Sequence, residues 1–191
     1  MILELLPRDF AKSSSTYAYI DPGPGWLLVD AASPNKAEEV VSLIRKAVGS
    51  LPVVSPLTAQ APAFAMTGWL ANQSSPERFV VGDECSFVDP KTGAVVRCKG
   101  KDLGSEEVRN HLETGMQVTQ LALTWQERFG FSLDTGLAIR RLKYLEGVTE
   151  AAADIETDDA AQRFDADFSI MAAELAGLLD DLIAAFGGEK P

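Results

Sequence analysis

The apolar run Phe164, Phe168, Met171, Leu175, Leu178, Leu182 and Phe186 constrains the fold of this chain most strongly. Its successive steps of 4, 3, 4, 3, 4 and 4 residues lay one apolar seam along a helix of about six turns. Ala172, Ala173 and Ala176 flank the seam and admit a close neighbour, and Gly187-Gly188 ends it. A seam of this kind packs inside its own chain, meets a second copy, or does both if the helix packs inward and its neighbours form the interface.

The same segment holds nearly all of the net charge. From Leu145 to the end there are 12 acids against two bases, Arg163 and Lys190, whereas the whole chain of 191 residues carries −11. Residues 1–144 therefore hold 15 bases and 16 acids and are almost neutral. An overall negative charge argues against a polyanionic partner. Its confinement to one end removes that objection, because basic strips in the body can act locally while the acidic end faces elsewhere.

Other segments read as short elements. Residues 2–7 look like the last turns of a helix ending near Pro7. Thr16 to Ile20 and Trp26 to Ala31 form a hairpin across Asp21-Pro22-Gly23-Pro24-Gly25. Ser33-Pro34 opens a helix whose apolar positions run from Ala37 to Val48, and Gly49 closes it. Leu51 to Val54 is expected as a strand, which completes a β-β-α-β unit. A short element follows around Ala65 to Leu70. Arg78 to Val81, Glu84 to Val88 and Ala94 to Lys99 read as strands, with a turn at Asp89 to Gly93. Ser105 caps a helix from Glu106 to about Glu113, and Gly115 ends it. Val118 to Phe129 and Phe131 to Leu142, around the turn Asp134-Thr135-Gly136, resemble a long hairpin, and Thr157 caps a further short helix. Strands and helices without regular βαβ alternation make the fold α+β. Three regions are expected: residues 1–55, a β-rich region with one helix at 56–148, and an acidic helical segment at 149–191.

Composition and spacing point away from several classes of chemistry. Cys85 and Cys98 are too few and too widely spaced for a disulfide framework, and with His111 alone they do not complete a zinc site. They read as strand thiols in a reducing compartment, and His111 as a surface residue. No uncharged apolar segment approaches the roughly 20 residues that span a bilayer, and the opening MILELLPRDF is unlike a secretory signal, so no membrane partner and a cytoplasmic location are expected. The glycines fall in turns and helix ends, with no phosphate-binding loop. Asp83, Glu84 and Asp89 lie near Lys91 and Lys99, which loosely suggests a two-metal nuclease. The acid-x-Lys of such a site is absent, since Arg97 precedes Lys99 by two and Lys99 precedes Lys101. No catalytic residue, metal ligand or cofactor is nominated.

Two basic strips are more informative. Arg97, Lys99 and Lys101 alternate across the end of a strand and are expected on one face. Arg140, Arg141 and Lys143 form the second strip, with Arg141 and Lys143 sharing a face if the strand is regular. Duplex DNA carries one charge per about 1.7 Å of axis, so two such strips, repeated in a dimer, could track a backbone without reading bases. The alternative is an ordinary polar sheet face.

Several stretches carry a resemblance. They are LLPRDF at 5–10, KAEEVVSLIRKAVGSLPVV at 36–54, Leu103-Gly104-Ser105-Glu106-Glu107, LALTWQER at 121–128, IRRLKYL at 139–145 and AQRFDADFSIMAAELAGLLDDLIAAFGGE at 161–189. In this order they resemble the carboxy-terminal two-thirds of the RdgC family of bacterial recombination-associated proteins, with the family's amino-terminal third missing. The resemblance implies nucleoid-associated, sequence-nonspecific DNA binding by ring-shaped homodimers around duplex DNA, antagonism of RecA-driven recombination, and no established enzyme activity despite an exonuclease label. It also implies that residues 1–55 are the remnant of a central α/β domain. Arg97, Lys99 and Lys101 match a basic stretch of the family, Arg140, Arg141 and Lys143 a basic strand, and Phe10 an aromatic suited to a subunit contact. Without the missing third, an open dimer, a monomer or a module that poisons full-length rings is expected.

Overall fold

Strands β1 (Ala18–Asp21) and β2 (Trp26–Val29) and helix α1 (Pro34–Val48) form the described part of the first of two units, which runs to Val54. The structure, a computed structural model, describes residues 14–148 and 159–190. The expected helix end at residues 2–7, Phe10 and the cap at Thr157 lie outside them. β1 and β2 pair antiparallel from Ala18↔Val29 to Asp21↔Trp26, and the turn closes with the Gly25 N–H donating to the Asp21 carbonyl at 3.1 Å. At the start of α1 the Ser33 hydroxyl accepts the Lys36 N–H at 3.3 Å. Arg45 and Lys46 sit in the last turn, where the helix dipole favours cations.

The strand expected at Leu51 to Val54 does not form among the described residues. Pro52 has no N–H to donate, the Val53 N–H turns back onto the Leu51 carbonyl at 2.9 Å, and Val54 is 90% exposed. The α+β class stands, with β-β-α in this unit.

The second unit, from Ser55 on, is built on a five-stranded antiparallel sheet in the order β4-β3-β5-β6-β7. Its strands are β3 (Phe79–Val88), β4 (Val95–Lys99), β5 (Gln117–Trp125), β6 (Phe129–Asp134) and β7 (Ile139–Tyr144). The two strands expected at 78–81 and 84–88 are one strand with a register shift between Val81 and Cys85. The expected long hairpin is three strands, because Gln126 and Glu127 both adopt positive φ (46° and 55°) and turn the chain between β5 and β6.

Helices α2 (Pro62–Ala71), α3 (Glu106–Glu113) and α4 (Ala160–Ala185) complete this unit. Alternation along the strands sends Phe87, Leu121, Leu123 and Leu133 into the core, where Met66 of α2, Val108 of α3 and Leu178 of α4 are also fully buried. The seam of α4 divides. Leu175, Leu178, Leu182 and Phe186 are buried, whereas Phe164 is 67% exposed and stacks on Phe168 with ring centroids 6.0 Å apart. Past the helix, Phe186 stacks on Trp69 at 5.1 Å, and the Lys190 N–H donates to the Leu57 carbonyl.

Polar contacts hold α4 to the sheet. The Asp181 carboxylate accepts the Trp125 indole N–H at 2.8 Å, Arg78 at 2.9 Å and the Gln126 amide at 3.2 Å, while Arg128 pairs with Glu174. Gly177 permits this approach, since a Cβ there would lie 3.3 Å from the Trp125 ring. Burial pushes the Asp181 carboxyl up, but the bonds from Trp125, Arg78 and Gln126 outweigh it and hold it below the ordinary aspartate value. A folded-state value lowered in this way adds stability above the unfolded value of about 3.9, and that stability is lost as pH falls through the folded value. Urea midpoints of wild type and Asp181→Asn should therefore be well separated at pH 6 and converge on acidification below about pH 4. A gap that stays constant down to pH 2 would refute the assignment.

Candidate functional site

Pleating that buries Cys85, Cys98, Leu121 and Leu133 on one face of the large sheet puts their strand neighbours on the other. Register sets those neighbours in rows: Arg97 of β4 opposes Ser86 of β3, Ser86 opposes Gln120 of β5, and Gln120 opposes Asp134 of β6. Beside this row Lys99 opposes Glu84, and Ser132 opposes Arg140 of β7. The result is a groove of about 460 Å³, with Arg97 and Lys99 on one side, Arg140 and Arg141 on the other, and Glu84, Ser86, Gln120 and Ser132 among its lining.

A bulge in β7 produces one wall. Between Arg140 and Lys143 the strand advances three residues while its partner advances two, from Ser132 to Gly130, and Arg141 takes φ 53°. Arg140 and Lys143 therefore oppose residues on the same face of β6. Arg141 also lines the groove, and its guanidinium meets Glu84 at 2.7 Å. Simple alternation would have put Arg140 and Arg141 on opposite faces, and the bulge corrects that expectation. Lys143 shares the face without lining the groove.

The first strip is shorter than expected. β4 ends at Lys99, and Gly100 adopts φ 63°. This turn sends Lys101 away from the groove, so that its ammonium pairs with Glu107 of α3 at 2.6 Å. Four of the six nominated bases thus converge, from strips some 40 residues apart in the chain.

Charge within the groove is partly compensated. Glu84 faces Arg141 at 2.7 Å and Lys99 at 3.4 Å, and Asp134 binds Arg140 at 2.7 Å. The hydrogen bond from Arg141, helped by Lys99 and opposed by desolvation, holds the Glu84 carboxyl below its usual range. Arg97 makes no ion pair among the described residues. In the sequence Glu84 stands out only as a candidate metal ligand beside Asp83 and Asp89. Its place in the groove was signalled by polar residues alternating with buried ones along β3.

The other chemical candidates are not assembled. Asp89 sits in the β3–β4 turn, accepting the Thr92 hydroxyl at 2.6 Å and the Lys91 N–H at 2.8 Å, five residues along from Glu84. Among the described residues no three His, Cys, Asp or Glu side chains come together as a metal site. Cys85 and Cys98 are free thiols facing each other across β3 and β4, and burial together with Cys98 pushes the Cys85 thiol up to about 12. His111, expected at the surface, is half-buried and packs on Phe87 with centroids 5.8 Å apart. No described helix is long and apolar enough to cross a membrane.

Comparison with known proteins gives a consistent result. Residues 1–189 match a family model described as "Putative exonuclease, RdgC". The chain is 42% identical over 193 residues to the recombination-associated protein RdgC of Psychromonas ingrahamii, covering 100% of this chain and 63% of that protein. It is 43% identical to the RdgC protein of Tolumonas auensis, over 97% of this chain and 62% of that one. Against that of Pseudoalteromonas translucida it is 44% identical, over 96% and 61%. These relatives are named for recombination and not for an enzyme activity, and the chain spans less than two-thirds of their length. With the match extending through nearly every residue, the large sheet and the closing helix included, the chain belongs to the RdgC family.

Proposed function

We propose that the polar face of the five-stranded sheet binds the DNA backbone without reading sequence, and that the chain serves recombination as a non-enzymatic DNA-binding module. The observation that carries this reading is the convergence of Arg97, Lys99, Arg140 and Arg141 on one groove. Lys143, on the same face, extends the positive surface, whereas Lys101 is turned away and paired with Glu107. Apart from Cys85 and Cys98 the lining residues carry polar or charged side chains and none is aromatic, so the groove offers cations and hydrogen-bond donors to phosphates but no platform on which bases could stack.

Two copies acting together around duplex DNA, association with the nucleoid in the cytoplasm and antagonism of RecA complete the proposal. They rest on the family resemblance; the names of the relatives add only the association with recombination. Phe164, 67% exposed on α4, supplies apolar surface for pairing of copies, and Phe10 is a second candidate contact. An association module without DNA affinity is the competing reading, and the same exposed aromatic surface favours it.

Titration of unrelated duplexes by fluorescence anisotropy separates the two. DNA binding predicts similar affinities across sequences and a log affinity that falls linearly with log salt, with a slope of about −2 to −4 for two to four neutralised phosphates. Undetectable binding at low salt, or strong dependence on sequence, would remove the DNA reading. Magnesium- or manganese-dependent cleavage lost in Asp83→Ala would replace it with a nuclease.

A further inference from the structure

The Glu84 carboxylate reaches both walls of the groove, touching Lys99 of β4 and Arg141 of β7. A flat sheet would separate β3 from β7 by three strand spacings, roughly 14 Å, so the contact with Arg141 closes the groove over its own floor. Glu84 is well covered, with 24% of its side chain exposed, whereas Arg141 is 54% and Lys99 80% exposed. The carboxylate is therefore the fixed member of the trio, and the two cations are the members free to swing towards a ligand. A phosphate oxygen offers a guanidinium the same charge and geometry as a carboxylate oxygen. A DNA phosphate entering the groove must compete with Glu84 for Arg141 and Lys99, and it meets like-charge repulsion while Glu84 stays.

We propose that Glu84 is a built-in competitor that sets the affinity of the groove for DNA: it occupies Arg141 and Lys99 in the free protein and yields them to a backbone phosphate. This inference rests on the DNA-binding reading above. It adds a residue whose role is opposite to that of its neighbours, an acid whose removal strengthens binding.

Glu84→Gln removes the charge and keeps the shape. It should tighten binding of a mixed-sequence duplex by roughly tenfold at 100 mM salt, the scale of one unit charge removed from a few ångströms away in a partly solvated site. The salt slope should steepen by about 1 to 2, because Lys99 and Arg141 would then hold solution anions and release them on binding. A merely structural role would not move that slope. Glu39→Gln is the matched control, since it makes the same change of charge and breaks the Lys36–Glu39 surface pair in the first unit. Its affinity and slope should stay near those of wild type.

If wild type binds DNA but Glu84→Gln binds no more tightly than Glu39→Gln, the competitor role is wrong. Weaker binding by Glu84→Gln, with an unchanged urea midpoint, would instead make Glu84 a residue that positions Arg141 for phosphate. If neither wild type nor Glu84→Gln binds duplex at low salt, the DNA reading falls and this inference falls with it.

Discussion

Phe186→Ala should lower the free energy of unfolding by about 3–5 kcal/mol, the range for emptying a buried aromatic site. The ring is fully buried, stacks on Trp69 at 5.1 Å, and stands at the end of α4 beside the buried Leu182. Its carbonyl accepts the Gln60 N–H at 2.9 Å, and Gly188 accepts that of Ala59. Truncation therefore opens a cavity where the closing helix, α2 and the segment 57–60 meet, and these elements cannot all relax into it. Phe164→Ala, at the other end of the same seam, should cost no more than about 0.5 kcal/mol because that ring is 67% exposed. Urea denaturation of both variants at neutral pH makes the comparison. Equal losses would show that the seam is not divided into a packed and an exposed half.

Local chemistry made some elements of this fold readable and left others hidden. The 3- and 4-residue spacing announced α4, and Ser33-Pro34 announced the start of α1, because a hydroxyl cap and a proline at the first helical position act on neighbours in sequence. α2 was legible only as a short element, since PAFAMTGWLA is apolar nearly all round and periodicity carries no signal there. The turn at Gln126-Glu127 was hidden for a different reason. Both residues take left-handed conformations usually filled by Asn or Gly, and Gln126 is held there by its N–H bond to the Arg78 carbonyl and its amide bond to Asp181. Leu51 to Val54 has the composition of a strand, but pairing needs a partner, and Pro52 lacks a donor.

The site divides along the same line. The bases could be nominated because alternation is a local rule, and it worked for Arg97 and Lys99. It failed where a single residue broke the pleat, at Gly100 and at the Arg141 bulge. Gly100 is its own local sign, since an isolated glycine in a strand pattern marks a bend, whereas the bulge has no signature in its own segment because it is defined by the count of residues on β6 opposite it. Placement of β3 between β4 and β5, which puts Glu84 between the basic walls, is likewise a long-range fact. For that reason an acid flanked by candidate metal ligands in sequence becomes, in the fold, the counterion of a basic groove.

Replacing Arg97, Lys99, Arg140 and Arg141 together with alanine should weaken duplex binding by about a hundredfold at 100 mM salt. The salt slope should become shallower by up to about 3 to 4, since each lost phosphate contact removes roughly 0.9. Lys101→Ala with Lys143→Ala should have a smaller effect, because neither side chain lines the groove and Lys101 is engaged with Glu107. The fourfold change also takes the net charge from −11 to −15, and a more negative protein repels DNA wherever the charges sit. A second variant isolates that effect. Alanine at Lys36, Lys46, Lys91 and Lys190 removes four bases that do not line the groove and reaches the same net charge. It should lose only a few-fold in affinity and keep nearly all of its slope. Urea midpoints close to wild type would confirm that both proteins are folded, as expected for substitutions at half-exposed or exposed side chains. Binding that follows net charge alone, falling equally in the two variants, would mean that the sheet face is not where DNA is held.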